Sequence, residues 1–168
     1  PAIAFCPERV VQGKGVQEIQ SLPQLVSGTS RAAVERATAL FATIAPEVVE
    51  LSPKAAEYAK LISNAYRYIQ FAATNQFYMM VESAGLDYDR ILSGMKQDYD
   101  RMAGLPSAGL AAGPCLFKDT LQLCSFYENQ FSLGFDAVMV NEGLPLFIVR
   151  NMEKEYNLLE MTVGLLGM

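Results

Sequence analysis

Residues 52–85 read SPKAAEYAKLISNAYRYIQFAATNQFYMMVESAG, and this stretch decides the fold of the chain. Ser52 followed by Pro53 is a typical helix start, because a hydroxyl caps the first turn and proline at the first position costs no hydrogen bond. No glycine or proline follows until Gly85, which suits the position just past a helix end. The sequence therefore predicts one helix of about thirty residues, about 45 Å long.

This helix is apolar around most of its circumference, so it should be buried on several sides. A helix of this length and composition in a small protein is expected to pack against a second copy of itself or to run between domains. The apolar positions are Ala55, Tyr58, Leu61, Ile62, Ala65, Tyr66, Ile69, Phe71, Ala72, Phe77 and Met80.

The segments around the long helix predict a mainly helical chain with a few strands. Residues 1–28 are loop-rich with the short apolar runs AIAF and LPQLV, and VVEL at 48–51 is typical of a strand. Thr29 or Ser30 can cap a helix running to about Ile44. Further helices are predicted from Asp87 to about Tyr99, over 118–130 and over 135–156 with a kink at Gly143 and Pro145, whereas 103–114 should be loop.

Composition narrows the classes of function. The chain has 168 residues, 51% of them hydrophobic and 18% charged, which fits one domain or little more with a good core. The net charge of −5 argues against a nucleic-acid partner. The apolar runs are too short for a membrane helix, so none is predicted. The N-terminus lacks a basic n-region, so no signal peptide is predicted. Three cysteines are too few for a disulfide framework and favour the cytoplasm.

The chain contains no histidine, which removes Ser-His-Asp and Cys-His mechanisms and His-ligated metal sites. Catalysis would depend on Cys, Lys, Asp, Glu, Asn or Arg, and no metal site is predicted. Cys115, in AAGPCLFKDT (111–120), follows a Gly-Pro pair just before the expected helix start. Backbone N–H groups and Lys118 should lower its thiol pKa, and Asp119 is placed to activate water. The alternative is a small buried thiol, which is the interpretation favoured for Cys124.

The long helix carries a polar stripe at Lys60, Asn64 and Arg67, which share one face because they are four and three residues apart. The stripe is either a solvated face or a set of donors for a developing oxyanion. Glu8 lies in the loop segment CPERV and Arg101 precedes the Gly/Pro loop. Each has a simple explanation, solvation for Glu8 and helix capping for Arg101.

Taken together, several separated segments resemble the NAD-dependent nucleotide-sugar 6-dehydrogenases of the UDP-glucose/GDP-mannose dehydrogenase superfamily. The segments are CPERVVQGKG (6–15), AEYAKLISNAYR (56–67), YDRMAGLPSAGLAAGPCLFKDT (99–120), NEGLP (141–145) and the final TVGLLGM. They follow the family's order and span nearly the whole chain. The combination of Cys-x-x-Lys-Asp with an upstream Lys-x-x-x-Asn is far more specific than either motif alone.

The resemblance implies a fold and a domain organisation. It implies a mainly α chain whose core is a helical dimerisation domain like the C-terminal domain of 6-phosphogluconate dehydrogenase, with strands left from flanking Rossmann-like domains. Residues 1–51 would end an NAD-binding domain, 52–160 would form the central dimerisation and catalytic domain, and 161–168 would be the first strand of a truncated nucleotide-sugar-binding domain. The implied dimer forms through the long helix, 53–84.

The resemblance also implies a reaction, in which the C6 alcohol of a UDP- or GDP-sugar is oxidised to a carboxylate by two NAD in a pathway of polysaccharide biosynthesis. Cys115 would hold the substrate as a thiohemiacetal and then a thioester, while Lys60 and Asn64 stabilise oxyanions. Asp119 would lie near the hydrolytic water, and Glu8 would contact substrate or act as acid or base. Cys115 and Lys118 would lie beside the cofactor.

Further substrate contacts are implied for Arg101, which would reach the partner's nucleotide sugar, and for the loop from Pro106 to Ala112. The residues of that loop named as substrate-binding are Pro106, Ser107, Ala108, Gly109 and Leu110. Gln12 stands where some members have a second glutamate, so hydrolysis would depend on Asp119 or Glu8. AAGPC in place of a GG pair implies a different sugar preference, with UDP-glucose and UDP-N-acetylhexosamine both possible substrates.

Two alternatives stay open. A two-electron 6-phosphogluconate or β-hydroxyacid-type dehydrogenase shares the Lys-x-x-x-Asn pair, but it lacks the cysteine. Alternatively the chain by itself is a helical dimerisation module without activity, because neither nucleotide site is complete.

Overall fold

A computed structural model describes residues 1–11, 13–111 and 113–164, and over these ranges the chain is mainly helical. The predictions for Gln12 and Ala112, and for the last four residues of the proposed final strand, lie outside the described residues. The described helices are α1 (Gly15–Ser21), α2 (Arg31–Phe41), α3 (Pro53–Ser83), α4 (Tyr88–Lys96), α5 (Pro114–Phe126) and α6 (Ser132–Glu155), and the strands are β1 (Ala4–Phe5), β2 (Gln24–Gly28) and β3 (Val48–Glu50).

The chain divides into two compact units, residues 1–64 and residues 65 onward. In the first unit the three strands form one sheet in the order β1-β2-β3, with β1 antiparallel and β3 parallel to β2. Helix α2 connects β2 to β3, as a parallel pair requires. Ser30 caps α2 by accepting a hydrogen bond from the N–H of Ala33, so the second of the two predicted caps is the one used.

The long helix α3 confirms the prediction from residues 52–85. Ser52 Oγ accepts a hydrogen bond from the N–H of Ala55 at 3.3 Å, and Gly85 has φ of +71° just past the helix end. One expectation for α3 is wrong for the single chain, because some large apolar side chains are exposed rather than buried. Ile62, Tyr66 and Met80 are 53%, 61% and 61% exposed.

The second unit packs α5 and α6 around the continuation of α3. Its core contains Tyr68, Ala72, Leu116 and Ala137, and the rings of Tyr68 and Phe117 meet edge to face at 6.4 Å. Cys124 is 1% exposed, which confirms it as a core residue. Asp87 caps α4 through Arg90 N–H at 3.0 Å, although α4 ends at Lys96 rather than near Tyr99.

Two further predictions need correction. Helix α1 was expected to be loop, since its seven residues give too short a pattern to detect. Helix α5 begins at Pro114 instead of Lys118, so Cys115 lies inside the first helical turn rather than before it. The reason is local, because Gly113 accepts φ of +95° at the cap and Pro114 then suits the first helical position.

Helix α6 is the one described helix that is long and apolar enough to cross a membrane by length and composition. A core helix of a soluble protein passes the same test. Asn141 on α6 is 5% exposed and its Nδ2 donates a hydrogen bond to the Tyr68 carbonyl, so α6 packs against α3 at this position. The expectation from the sequence that no segment spans a membrane therefore stays a prediction. Residues Gly143 and Pro145, where a kink was predicted, lie inside the continuous helix α6.

Candidate functional site

Cys115 is exposed on the first turn of α5, in the second unit. Helix N-terminal turns present backbone N–H groups and a positive dipole end, which favour an anionic side chain. Lys118 lies one turn further along, and its side chain is 66% exposed. An accessible thiol in this position has the access and the electropositive surroundings that a nucleophile needs.

Asp119 is buried beneath this surface. It is 4% exposed, and one carboxylate oxygen lies 2.6 Å from the Lys118 ammonium nitrogen. Hydrogen bonding to Asp119 is the main reason that the Lys118 pKa is raised above its ordinary value, with a smaller contribution from the charge of Cys115. Lys118 therefore stays a cation beside the thiol. The burial means that Asp119 reaches solvent less freely than the sequence led us to expect.

In the first unit, Glu8 and Lys60 come together although they are 52 residues apart. The Lys60 ammonium donates a hydrogen bond to the Glu8 backbone carbonyl at 2.5 Å and lies 3.6 Å from the Glu8 carboxylate. The Lys60 side chain is 25% exposed and that of Glu8 is 61% exposed. The lysine head is thus held by the CPERV loop rather than extended into water.

The polar stripe of α3 is not one uniform solvated face. Asn64, one turn after Lys60, is 6% exposed, whereas Arg67 is exposed. A buried amide needs hydrogen-bond partners, and Asn64 has at least one. Solvation therefore explains Arg67 and fails to explain Asn64.

Arg101 lies in a short 3-10 segment, Asp100–Met102, and its guanidinium is 5.4 Å from the ring centroid of Tyr99. This cation–π contact leaves the residue exposed, as an arginine that reaches a ligand of another subunit would have to be. Its predicted role stays a prediction.

The loop from Pro106 toward Cys115 is held by polar residues that the sequence analysis missed. Asn75 Nδ2 donates to the Gly109 carbonyl at 3.0 Å, and the Gly109 N–H donates back to Asn75 Oδ1 at 2.9 Å. Thr74 Oγ1 donates to the Pro106 carbonyl at 3.0 Å. The available signal was the polar pair Thr74-Asn75 inside the apolar stretch FAATNQF, where buried polar groups imply specific partners.

The same network continues into α6. Asn75 Nδ2 also donates to Asn141 Oδ1 at 2.9 Å, and Asn141 Nδ2 donates to the Tyr68 carbonyl at 3.1 Å. The Tyr68 hydroxyl donates to Glu142 at 3.2 Å. Asn141 and Glu142 come from the NEGLP segment, and of the two Asn141 is buried in the second unit whereas Glu142 is exposed.

Tyr68 should make stability depend on pH in alkaline solution. Burial, followed by the charge of Glu142, raises its pKa to about 12 from an ordinary 10.0. The folded state therefore keeps the phenol proton longer than the unfolded state does, so the stabilisation is complete below pH 10 and is lost as pH rises toward 12. Between pH 9.5 and 11.5, the loss in unfolding free energy should be about 2 kcal/mol smaller in Tyr68→Phe than in the wild type.

Urea unfolding at the two pH values measures this difference. The matched control is Tyr156→Phe, which removes a phenol that is 50% exposed rather than buried. Equal pH dependence in the wild type and Tyr68→Phe would show that the buried phenol does not titrate as described.

Among the described residues, no three His, Cys, Asp or Glu side chains are grouped to hold a metal ion. The side chains described above present a thiol, two ammonium groups, an amide and carboxylates. Cys115, Lys118 and Asp119 lie in the second unit, and Glu8 and Lys60 lie in the first.

Similar proteins give these clusters a context. The chain is 26% identical over 90% of its length to the UDP-N-acetyl-D-mannosamine dehydrogenase of Methanocaldococcus jannaschii. The UDP-D-ManNAc dehydrogenase structure from Pyrococcus horikoshii matches 92% of the chain at 25% identity with a TM-score of 0.80. An NDP-N-acetyl-D-galactosaminuronic acid dehydrogenase structure from Methanosarcina mazei matches 92% at 26% identity with a TM-score of 0.72.

In each case the chain spans little more than a third of the relative, namely 35%, 38% and 36% of their lengths. Family members are NAD-dependent dehydrogenases. The family model of the central domain covers residues 54–142, which include Lys60, Asn64, Arg101 and the whole Cys115 cluster. With more than half of its length matched in this way, the chain belongs to the UDP-glucose/GDP-mannose dehydrogenase family.

Proposed function

We propose that the protein containing this chain oxidises the C6 alcohol of a UDP-sugar to the carboxylate with two NAD. The observation that carries the proposal is the exposed Cys115 thiol on the first turn of α5, beside the Lys118–Asp119 pair and inside the family-matched region. Names of relatives favour a UDP-N-acetylhexosamine such as UDP-N-acetyl-D-mannosamine over UDP-glucose or a GDP-sugar.

In the proposed reaction, a first hydride transfer and loss of the hydroxyl proton convert the alcohol to an aldehyde. The Cys115 thiolate adds to the aldehyde carbon and forms a thiohemiacetal. Loss of a second hydride and a proton leaves a thioester, and water then releases the carboxylate and restores the thiol. The covalent bond retains the substrate between the two oxidations.

The remaining residues fit the charges that develop along this route. The Lys60 ammonium, held by Glu8, and the Asn64 amide are donors suited to the oxyanions of the successive intermediates. Asp119 or Glu8 is the candidate base for the hydrolytic water. Of these two, Glu8 has the exposed carboxylate, whereas Asp119 is buried and paired with Lys118.

The chain provides only part of the setting for NAD. The exposed, persistently cationic Lys118 suits the anionic part of a dinucleotide, and Cys115 lies one turn away. NAD, when bound, supplies the hydride acceptor. The sequence has no G-x-G-x-x-G segment, and we assign residues 1–51 to the end of an NAD-binding domain, 52–160 to the central domain and 161–168 to the start of the sugar-binding domain.

The exposed apolar side chains of α3 support the proposal of a homodimer through residues 53–84, since a partner helix would cover Ile62, Tyr66 and Met80.

No nucleic acid or membrane partner is proposed, and the cytoplasm is the proposed location. A two-electron dehydrogenase is disfavoured by the accessible cysteine. The chain in isolation would be an inactive helical dimerisation module.

Turnover of the full-length protein tests the proposed function. With NAD and a panel of UDP-N-acetyl-D-mannosamine, UDP-N-acetyl-D-glucosamine, UDP-glucose and GDP-mannose, we expect one UDP-sugar to give two NADH per molecule and a C6 carboxylate. Light scattering of the same preparation should give a dimer. One NADH per sugar would indicate the two-electron alternative, and no NADH with any sugar would refute the proposal.

A further inference from the structure

The buried polar network around Asn75 holds a loop, residues 106–109, against α3. Asn75 is 0% exposed, and its amide makes three hydrogen bonds, two to the Gly109 backbone and one to Asn141 on α6. Burying an amide is unfavourable unless its groups are paired, so an apolar residue would be simpler if packing alone were required.

The bonds to Gly109 have a particular geometry. One side-chain amide pairs with both the N–H and the carbonyl of a single residue, at 2.9 and 3.0 Å, in the manner of a strand partner. Such a pair fixes the orientation of the peptide plane on each side of Gly109 and not only its position. Because the contacts are to backbone, they hold the loop whatever its side chains are.

The adjacent residue holds the other end of the same segment. Thr74 is 0% exposed, donates to the Pro106 carbonyl at 3.0 Å and is 2.5 Å from the Tyr88 hydroxyl. Two neighbouring positions of α3 therefore fasten 106–109 at both ends. Between and just beyond these points, Ser107 and Leu110 are exposed.

This anchored segment leads directly to the nucleophile. Two residues after Gly109, Ala111 packs against the core cluster that contains Leu116, which is next to Cys115. The loop backbone is thus tied to α3 at Pro106 and Gly109 and to the start of α5 through this core. A shift at Gly109 would be transmitted over only a few residues to the surface in front of the thiol.

We propose that Asn75 is a positioning residue that fixes the loop 106–111 through Gly109 and so sets the affinity of the site for the nucleotide sugar. Asn141 supports this role, because its Oδ1 accepts a hydrogen bond from Asn75 Nδ2 and so orients the Asn75 amide. The proposal rests on the proposed function for the identity of the ligand, whereas the anchoring of the loop stands on the hydrogen bonds alone. Asn75 touches neither thiol nor substrate in this role.

The test uses the full-length protein with Asn75→Ala, and with Leu144→Ala as a control for stability. Leu144 is 1% exposed on α6, so its truncation destabilises the core without removing a bond to the loop. Amide hydrogen exchange at Gly109 should be at least about tenfold faster in Asn75→Ala than in Leu144→Ala. The KM for the UDP-sugar should rise at least about tenfold, while the KM for NAD stays within about twofold of the wild type.

A second variant covers the case in which Asn75→Ala does not fold. Asn141→Ala leaves both bonds between Asn75 and Gly109 in place and removes the acceptor that orients the Asn75 amide, so its exchange rate and KM should lie between those of the wild type and Asn75→Ala. Gly109 exchange equal to that of Leu144→Ala, or an unchanged KM for the sugar, would overturn the proposal. If the wild type oxidises no nucleotide sugar, the proposed function fails, and the exchange rate still decides whether Asn75 anchors the loop.

Discussion

Replacing Cys115 with serine in the full-length protein is expected to abolish carboxylate formation, lowering its rate by about a thousandfold or more. A serine hydroxyl is far less acidic than a thiol, so the aldehyde is not captured in the form that loses the second hydride. The UDP-sugar should still bind, because the substitution keeps the shape of the side chain.

The measurement is NADH release together with product analysis, with Cys124→Ala as the control. Cys124 lies on the same helix but is buried, with its thiol directed to the Phe131 carbonyl at 3.7 Å, so its loss should lower stability and leave the reaction intact. Full acid production by Cys115→Ser would refute the covalent mechanism through Cys115.

The second large effect is expected at Lys60. Lys60→Met keeps most of the aliphatic stem and removes the ammonium that Glu8 holds, so kcat should fall by about a hundredfold to a thousandfold. The fall should exceed any rise in KM for the UDP-sugar, since the charge is needed most when the oxyanion forms.

Steady-state kinetics of the full-length protein provide the comparison, with Lys54→Met as the control. Lys54 lies in the first turn of the same helix and is exposed, so its replacement should change kcat by less than about twofold. If Lys60→Met retains a third or more of the wild-type kcat, the role of Lys60 is to hold the CPERV loop in place, and it does not stabilise the oxyanion.

Local patterns were enough to place most helices and strands. Ser52-Pro53 and Gly85 bound α3 closely, because capping groups and breakers act within one turn of the chain. The ends of α4 and α5 were placed less well. The pattern extended α4 beyond Lys96, and the Gly-Pro pair before Cys115 was interpreted as loop although Gly113 and Pro114 begin the helix.

Sequence motifs were enough to identify the candidate catalytic residues and some of their neighbours. Cys115, Lys118 and Asp119 lie within five positions of one another, so their proximity follows from one helical turn. Burial did not follow from spacing. Asp119 and Asn64 were expected at an accessible surface or along a polar stripe, and both are buried, because exposure depends on what the rest of the chain packs against each face.

By itself the sequence determined the long helix, the mainly helical class and the family, since each depends on residue types and on spacing along the chain. Only the tertiary structure decided that Lys60 is held by Glu8 and that Asn75 fastens Gly109 while pairing with Asn141. These contacts join residues 34 to 66 positions apart. Such contacts arise from the packing of whole elements, in which buried polar groups must find partners wherever the fold brings them, and no local pattern encodes that choice.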